Sequence, residues 1–239
     1  MHDRSAPSGQ NRLLAALQPA DFSLLKPHLK QTTLEQGVLL HEQEDPVQQA
    51  YFPQSGMISL LTVMGDGQAI ETATVGREGT VGAMSGLGPA HAPSRAVVQV
   101  PGTAAVIATS RLQAAVRQSD HLRNVILQYK ETLLAQVQQT AGCNALHKAE
   151  ARLARWLLQT RDRTDGDRIP LTQEFLSQML GVRRTTVTMV AGVLQKAGLI
   201  RYRRGYVEII DRSGLEQAAC ECYGIIRRRN GQALPMAAV

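Results

Sequence analysis

Residues 171–205, LTQEFLSQMLGVRRTTVTMVAGVLQKAGLIRYRRG, restrict this chain to a narrow set of folds. Thr172 stands where a hydroxyl caps a helix by accepting from an unpaired first-turn N–H, and Glu174 puts negative charge at the positive end of the helix dipole. Phe175, Leu176, Met179 and Leu180 then form the apolar face of a short helix. Gly181 follows where a left-handed residue ends such a helix, and Val182 is the apolar plug of the turn. A second helix starts near Arg183. Its Val187, Val190, Ala191 and Leu194 recur at intervals of three, one and three, which makes one buried stripe. Gly198 ends it, and residues 199–203 and 206–210 flank Arg204-Gly205 as the arms of a hairpin. Helix, turn, helix and basic hairpin in that order describe a winged helix-turn-helix.

The residues off the buried stripe indicate what the module touches. Arg183, Arg184, Thr185, Thr186 and Thr188 gather at the N-terminal end of the second helix, and Thr172 and Gln173 open the first. Arg201, Arg203 and Arg204 crowd the hairpin tip, where they suit phosphate contacts. These ten residues are the expected contacts to double-stranded DNA, with the second helix in the major groove and Arg184 placed for a bidentate guanine contact. Charge agrees. The chain carries +6 in all. Residues 1–144 hold 10 Lys/Arg against 11 Asp/Glu, a balance of −1, whereas residues 145–239 hold 16 against 9, a balance of +7. A basic half beside a near-neutral one is the electrostatic footprint of nucleic-acid binding.

Other classes find little support. No N-terminal apolar run resembles a signal peptide and no stretch is long enough to span a bilayer, so a soluble cytoplasmic protein without membrane attachment is expected. The basic tail ECYGIIRRRNG is too short for a membrane-surface helix and reads as a solvated helix end. No nucleophile–base–orienter set, phosphate loop with lysine or framed carboxylate pair appears, so an enzyme is not expected. Cys143, Cys220 and Cys222 are too few and uneven for a disulfide framework. Cys220-Glu221-Cys222 has one intervening residue rather than two, and no metal-ligand spacing stands out, so no metal is expected.

The N-terminal half has a different texture. A helical pattern over residues 11–29 is broken by Pro19 and Pro27. Beyond Thr32, β-prone runs at 38–40, 57–64, 69–75, 96–100 and 104–107 alternate with turn residues, which predicts an antiparallel β barrel or roll. Gly65-Asp66-Gly67 marks a hairpin. Residues 76–95, GREGTVGAMSGLGPAHAPSR, are glycine-rich; such a loop either joins strands or brings backbone N–H groups to an anion, with Arg77 and Arg95 as charge partners. Residues 119–140 lack Gly and Pro and read as one long helix. Leu122, Ile126, Tyr129, Leu133, Val137 and Thr140 form a heptad-like seam on it, which a lone helix would leave open; a homodimer interface is expected there. Gly142 is expected to break the helix as a hinge, and residues 144–159 to form the next helix on Leu146, Leu153, Trp156 and Leu157. The fold class is thus α+β: a loose N-terminus (1–12), a β-roll sensor domain (13–118), a dimerisation helix and hinge (119–142) and a winged helix-turn-helix domain (143–239).

This succession, from about Leu13 to about Leu215 and most closely over LTQEFLSQMLGVRRTTVTMVAGVLQKAGLI, resembles the Crp/Fnr family of bacterial transcription regulators. The resemblance implies a β roll of cyclic-nucleotide-binding type, a dimer on a palindromic operator and, for activators, recruitment of RNA polymerase. It also directs attention to Gly76, Arg77, Glu78, Gly79, Ser94 and Arg95 as the ligand site. In the cyclic-AMP-binding members a Gly-Glu pair holds the ribose and an Arg-Ser pair the phosphate. Here Glu78-Gly79 and Ser94-Arg95 stand in reversed order, which argues against cyclic AMP. No cysteine precedes Cys143, so the N-terminal iron–sulfur ligand set of the oxygen-sensing members is absent; His28, His41 and His91 leave a haem open without pointing to one. Thr185 replaces the family's frequent glutamate, so a different operator is expected. The remaining readings are a ligand-sensing module that acts through a protein partner, and a DNA-binding regulator that needs no ligand.

Overall fold

The structure, a computed structural model, describes residues 10–88, 90–164, 166–203 and 205–232. Two short helices open it, α1 (Arg12–Ala15) and α2 (Pro19–Leu25). The Asn11 carboxamide oxygen caps α1 by accepting from the Leu13 and Leu14 amides, and Pro19 sits at the first turn of α2, where its missing N–H is not needed. Seven strands follow: β1 (Lys30–Leu34), β2 (Leu39–His41), β3 (Gln49–Pro53), β4 (Met57–Val63), β5 (Ala69–Val75), β6 (Arg95–Val100) and β7 (Gly102–Ala108).

All seven pair antiparallel in two sheets, one ordered β1-β7-β3 and the other β2-β6-β4-β5. Strands β6 and β7 are separated by Pro101 alone, so the chain passes from one sheet directly into the other and rolls them together. The β4–β5 turn is closed by the Met64 amide donating to the Gln68 carbonyl at 2.7 Å, with Gly67 at φ 83°, as the Gly-Asp-Gly sequence requires. Strands β1 and β3 have no counterpart in the sequence reading. They carry glutamines, threonines and a lysine because they are the outer strands of their sheet, and only Leu34, Ala50, Phe52 and Pro53 among them are buried.

Helix α3 (Thr109–Val116) leads to α4 (Asp120–Leu146), capped by Ser119, whose hydroxyl oxygen accepts from the Leu122 amide at 2.9 Å. Two expectations fail on α4. It does not break at Gly142; its 27 residues run on to Leu146, and His147 is the first extended residue. A glycine inside a helix costs about 1 kcal/mol against alanine, less than the packing of α4 on the roll supplies. The supposed seam is also not left for a partner. Leu122, Ile126 and Tyr129 are buried in one cluster with Leu13, Leu25, Phe52, Ile107 and Leu112, Leu133 and Val137 are half-buried against the roll, and Thr140 is buried. This is the face with which α4 closes its own roll. The outward stripe carries Leu127, Leu134 and Ala141, seven residues apart, with the two leucines 38% and 46% exposed.

The C-terminal half comprises α5 (Ala149–Arg161), β8 (Arg168–Pro170), α6 (Gln173–Leu180), α7 (Arg184–Lys196), β9 (Ile200–Arg203), β10 (Tyr206–Ile209), α8 (Arg212–Ala218) and α9 (Cys222–Gln232). Helix α5 starts later than the sequence suggests, and Leu146 belongs to the exposed end of α4. Strands β8-β10-β9 form the winged sheet. The tail is no solvated helix end: α9 buries Cys222, Tyr223 and Ile226. Its neighbours are α4 and α5. Met57, Leu61 and Val100 of the roll join Leu153, Trp156, Leu157, Met179 and Leu180 in a single buried cluster, so the helix-turn-helix is seated directly on the roll. No helix among the described residues is long and apolar enough to cross a membrane.

Candidate functional site

Local chemistry builds the helix-turn-helix as its sequence dictates. Thr172 Oγ1 accepts from the Phe175 amide at 3.3 Å and caps α6. Gly181 ends α6 in the left-handed conformation, φ 59° and ψ 38°, and turns the chain into α7. Val187, Val190, Ala191 and Leu194 are buried against the rest of the domain. That leaves Arg183, Arg184, Thr185 and Thr188 exposed, with Thr186 half-buried. Gln173 Nε2 donates to Thr188 Oγ1 at 3.1 Å, and that hydroxyl donates to the Arg184 carbonyl at 3.2 Å, fixing α6 against α7. Arg184 pairs with Glu174 at 2.9 Å, but both side chains are more than 60% exposed. Such a pair is worth about 0–1 kcal/mol, so Glu174 holds the Arg184 guanidinium only weakly. Two residues of this face escape sequence reasoning. Met189 and Val193 are 59% and 47% exposed on the outward side of α7, where apolar groups suit thymine methyls. Their position off the Val187–Leu194 stripe is the signal that would have found them.

The wing follows in register. Arg201 faces Glu208 across the β9–β10 pair and bonds it at 2.9 Å, and the Arg168 guanidinium lies 5.4 Å over the Tyr206 ring. Arg203 is exposed at the end of β9. Gly205 takes φ 88° at the tip; Arg204 lies outside the described residues.

The six residues expected to hold a ligand do not converge. Val75, just before Gly76, pairs with Ile58, whereas Arg95 pairs with Leu61 on the opposite flank of β4. Arg95 Nε bonds the Glu42 carboxylate at 2.8 and 3.0 Å, and Ser94 is buried. At the other end, Glu78 meets Arg163 from the C-terminal half: Glu78 Oε1 accepts from Arg163 Nη2 at 2.6 Å and Nε at 2.9 Å, and from the Gly76 amide at 3.1 Å. Arg163 also donates to Thr74 Oγ1 at 2.8 Å, and its side chain is 5% exposed. Burial opposes ionisation of Glu78, but the Arg163 guanidinium overrides it and holds the carboxyl below its ordinary value. Arg77 Nη2 donates to the Arg163 carbonyl at 3.3 Å. The glycines make room for the chain's own side chains. A Cβ at Gly76 would strike the Arg163 stem, and one at Gly79 would strike the Tyr129 hydroxyl.

A second ionisable group crosses the same boundary. Glu71 of β5 is 3% exposed and accepts from Ser59 Oγ at 2.6 Å and from Trp156 Nε1 at 2.9 Å. Burial pushes its carboxyl up to about 7. Glu71 and Arg163 both escaped the sequence reading, because isolated charged residues in a strand or a polar loop give no sign of burial. Sequence spacing also gave no sign of a further cluster: Cys143, His147, Cys220 and Cys222 meet at the end of α4.

Residues 31–119 match the family model of the cyclic nucleotide-binding domain, and residues 151–218 that of the Crp-like helix-turn-helix domain. Several solved structures share the fold. FixK2 from Bradyrhizobium japonicum has a TM-score of 0.68 at 16% identity, covering 80% of this chain and 98% of its own. The c-di-GMP-responsive global regulator CLP of Xanthomonas campestris scores 0.64 at 17% identity, covering 81% of this chain and all of its own. TTHA1359, a CRP/FNR-family regulator from Thermus thermophilus, scores 0.61 at 20% identity, covering 80% and 98%. No curated protein matches the sequence significantly. With a sensory roll and a Crp-like DNA-binding domain together spanning about two-thirds of its length, the chain belongs to the Crp/Fnr family of DNA-binding transcription regulators.

Proposed function

We propose that this regulator binds a palindromic operator as a homodimer and that events at the β roll control the binding. The observation that carries the reading is the exposed Arg183–Arg184–Thr185–Thr188 edge of α7, seated beside the wing on the half of the chain that holds the +7 balance. The outward stripe of α4, Leu127, Leu134 and Ala141, supports dimerisation through that helix, since a spacing of seven is that of a two-stranded coiled coil. Glu78–Arg163 and Glu71–Trp156 support control from the roll, because each joins a strand or loop of the sensor to the DNA-binding half. A dimer on B-DNA has to present its two recognition helices about 34 Å apart, so a small change in their seating changes affinity steeply.

Selection of duplexes from a random pool, followed by fluorescence anisotropy over a salt series, tests the reading. One two-fold-symmetric sequence should be enriched, with a steep salt slope. Replacing Arg184 with Ala should weaken it by about 1–3 kcal/mol and relax one position in each half-site. Equal binding of all duplexes would refute sequence-specific recognition.

A further inference from the structure

Four residues far apart in sequence meet where α4 ends. Cys143 lies in the last turn of α4, His147 four residues on is the helix-ending residue, and Cys220 and Cys222 bracket the start of α9. One ligand-capable atom from each lies within 4.8 Å of all the others. Cys143 Sγ stands 3.5 Å from Cys220 Sγ, and Cys222 Sγ stands 3.5 Å from His147 Nδ1. The three thiols are buried, and the imidazole is 26% exposed. A tetrahedral ion with bonds of about 2.3 Å to sulfur and about 2.0–2.1 Å to nitrogen spaces sulfur from nitrogen by about 3.5–3.6 Å and sulfur from sulfur by about 3.8 Å; the Cys222–His147 pair already has that spacing, and the Cys143–Cys220 pair needs to open by only about 0.3 Å.

The surroundings are those of a built site. Glu221 Oε1 lies 3.2 Å from His147 Nε2, so the carboxylate orients the ring and turns Nδ1 to the sulfur atoms, the usual support for a metal-bound histidine. Arg152 and Arg155 are buried at 7% and 3% exposure, and both interact electrostatically with Cys143. Their Nε atoms have no hydrogen-bond partner among the described residues. Three thiolates on a divalent ion carry a net negative charge in a nearly dry place, and two fixed guanidinium groups offset it.

We infer that Cys143, His147, Cys220 and Cys222 form a mononuclear site for a thiophilic divalent cation, zinc being the ion that fits. Three sulfurs and one imidazole in tetrahedral array are a zinc-type donor set, and the atoms lie too close together to bracket a cluster of several irons. Four protein ligands leave no open position, so the ion is structural: it clamps α9 to the end of α4 and fixes the residue at which the long helix stops.

The test uses the full chain purified without chelator, its zinc content measured by plasma mass spectrometry and its thiols counted under native conditions. About one zinc per chain should be found, with the thiols shielded, and it should be lost in both Cys143→Ser and Cys222→Ser. Cobalt(II) in place of zinc should give tetrahedral d–d absorption with thiolate charge transfer. Glu221→Gln, at a 67% exposed position, leaves the core intact and should weaken zinc binding about 10–100-fold. The inference fails if reduced protein in excess zinc takes up none and its thiols stay equally reactive. It fails also if zinc persists in both serine variants, or if the reduced chain binds no metal and air instead yields a Cys143–Cys220 disulfide. None of these readouts involves DNA, so failure here leaves the operator reading untouched.

Discussion

The seating of the DNA-binding half on the roll should weaken as pH rises through neutrality, and Glu71 is the reason. Its carboxyl is buried, held by Ser59 and Trp156, and raised from 4.5 to about 7. That gap corresponds to about 3 kcal/mol between the neutral and charged forms. Because the folded value lies above the unfolded one, the stabilisation is complete below 4.5 and disappears as pH rises through about 7. Glu71→Gln locks in the neutral form. The carboxamide oxygen still accepts from Trp156, and its NH2 group donates to Ser59 Oγ, whose hydroxyl turns to Met179 Sδ at 3.6 Å. Trp156 is the chain's single tryptophan, so its fluorescence reports on this contact. Denaturant titrations from about pH 5 to about pH 9 should show wild type losing up to about 3 kcal/mol, with tryptophan emission changing around pH 7. The variant should lack that component, while contributions from histidines cancel in the comparison. An equal pH dependence in both proteins, or an emission midpoint near pH 4.5, would refute the assignment.

Other perturbations have equally definite outcomes. Arg163→Ala leaves Glu78 charged and buried without its partner and should cost about 3–5 kcal/mol in chemical denaturation; Arg163→Met combined with Glu78→Leu should recover most of it. Leu134→Glu, on the outward stripe of α4, should lower self-association in sedimentation velocity and leave the thermal stability of the isolated chain within about 0.5 kcal/mol. Gly181→Ala forces a Cβ into the left-handed region and against Ile70, so it should lower the melting temperature through a loss of about 1–2 kcal/mol.

How much of this was legible beforehand varied with the kind of signal. The helix-turn-helix could be read because each of its parts is local: a capping Thr172, a glycine at the turn, an apolar stripe within one helix. Helix α4 was legible as a helix but not in its orientation. Periodicity locates an apolar stripe and is silent on what covers it, and here Leu122, Ile126 and Tyr129 face the roll while the sparser Leu127–Leu134–Ala141 stripe faces out. Gly142 misled because propensity is weak beside tertiary packing. The residues that join the two halves gave no sign at all. Arg163 lies in a polar run that reads as a loop, and Glu71 is a lone carboxylate in a strand; each is buried through a partner more than 80 positions away. The cysteine–histidine set was hidden for the same reason, since Cys143 and Cys220 are 77 residues apart and only the meeting of α4 with α9 unites them.

The unbroken course of α4 has a mechanical consequence. At 1.5 Å per residue its 27 residues make a strut about 40 Å long, with no weak point until His147. A tilt of about 5° at the roll end would swing the far tip by about 3–4 Å, comparable to the rise of one base pair along B-DNA. A strut of this kind amplifies angular motion instead of absorbing it, and in the proposed dimer the position of each DNA-binding half is then set jointly by the joint at His147 and by the Glu71–Trp156 and Glu78–Arg163 contacts with the roll.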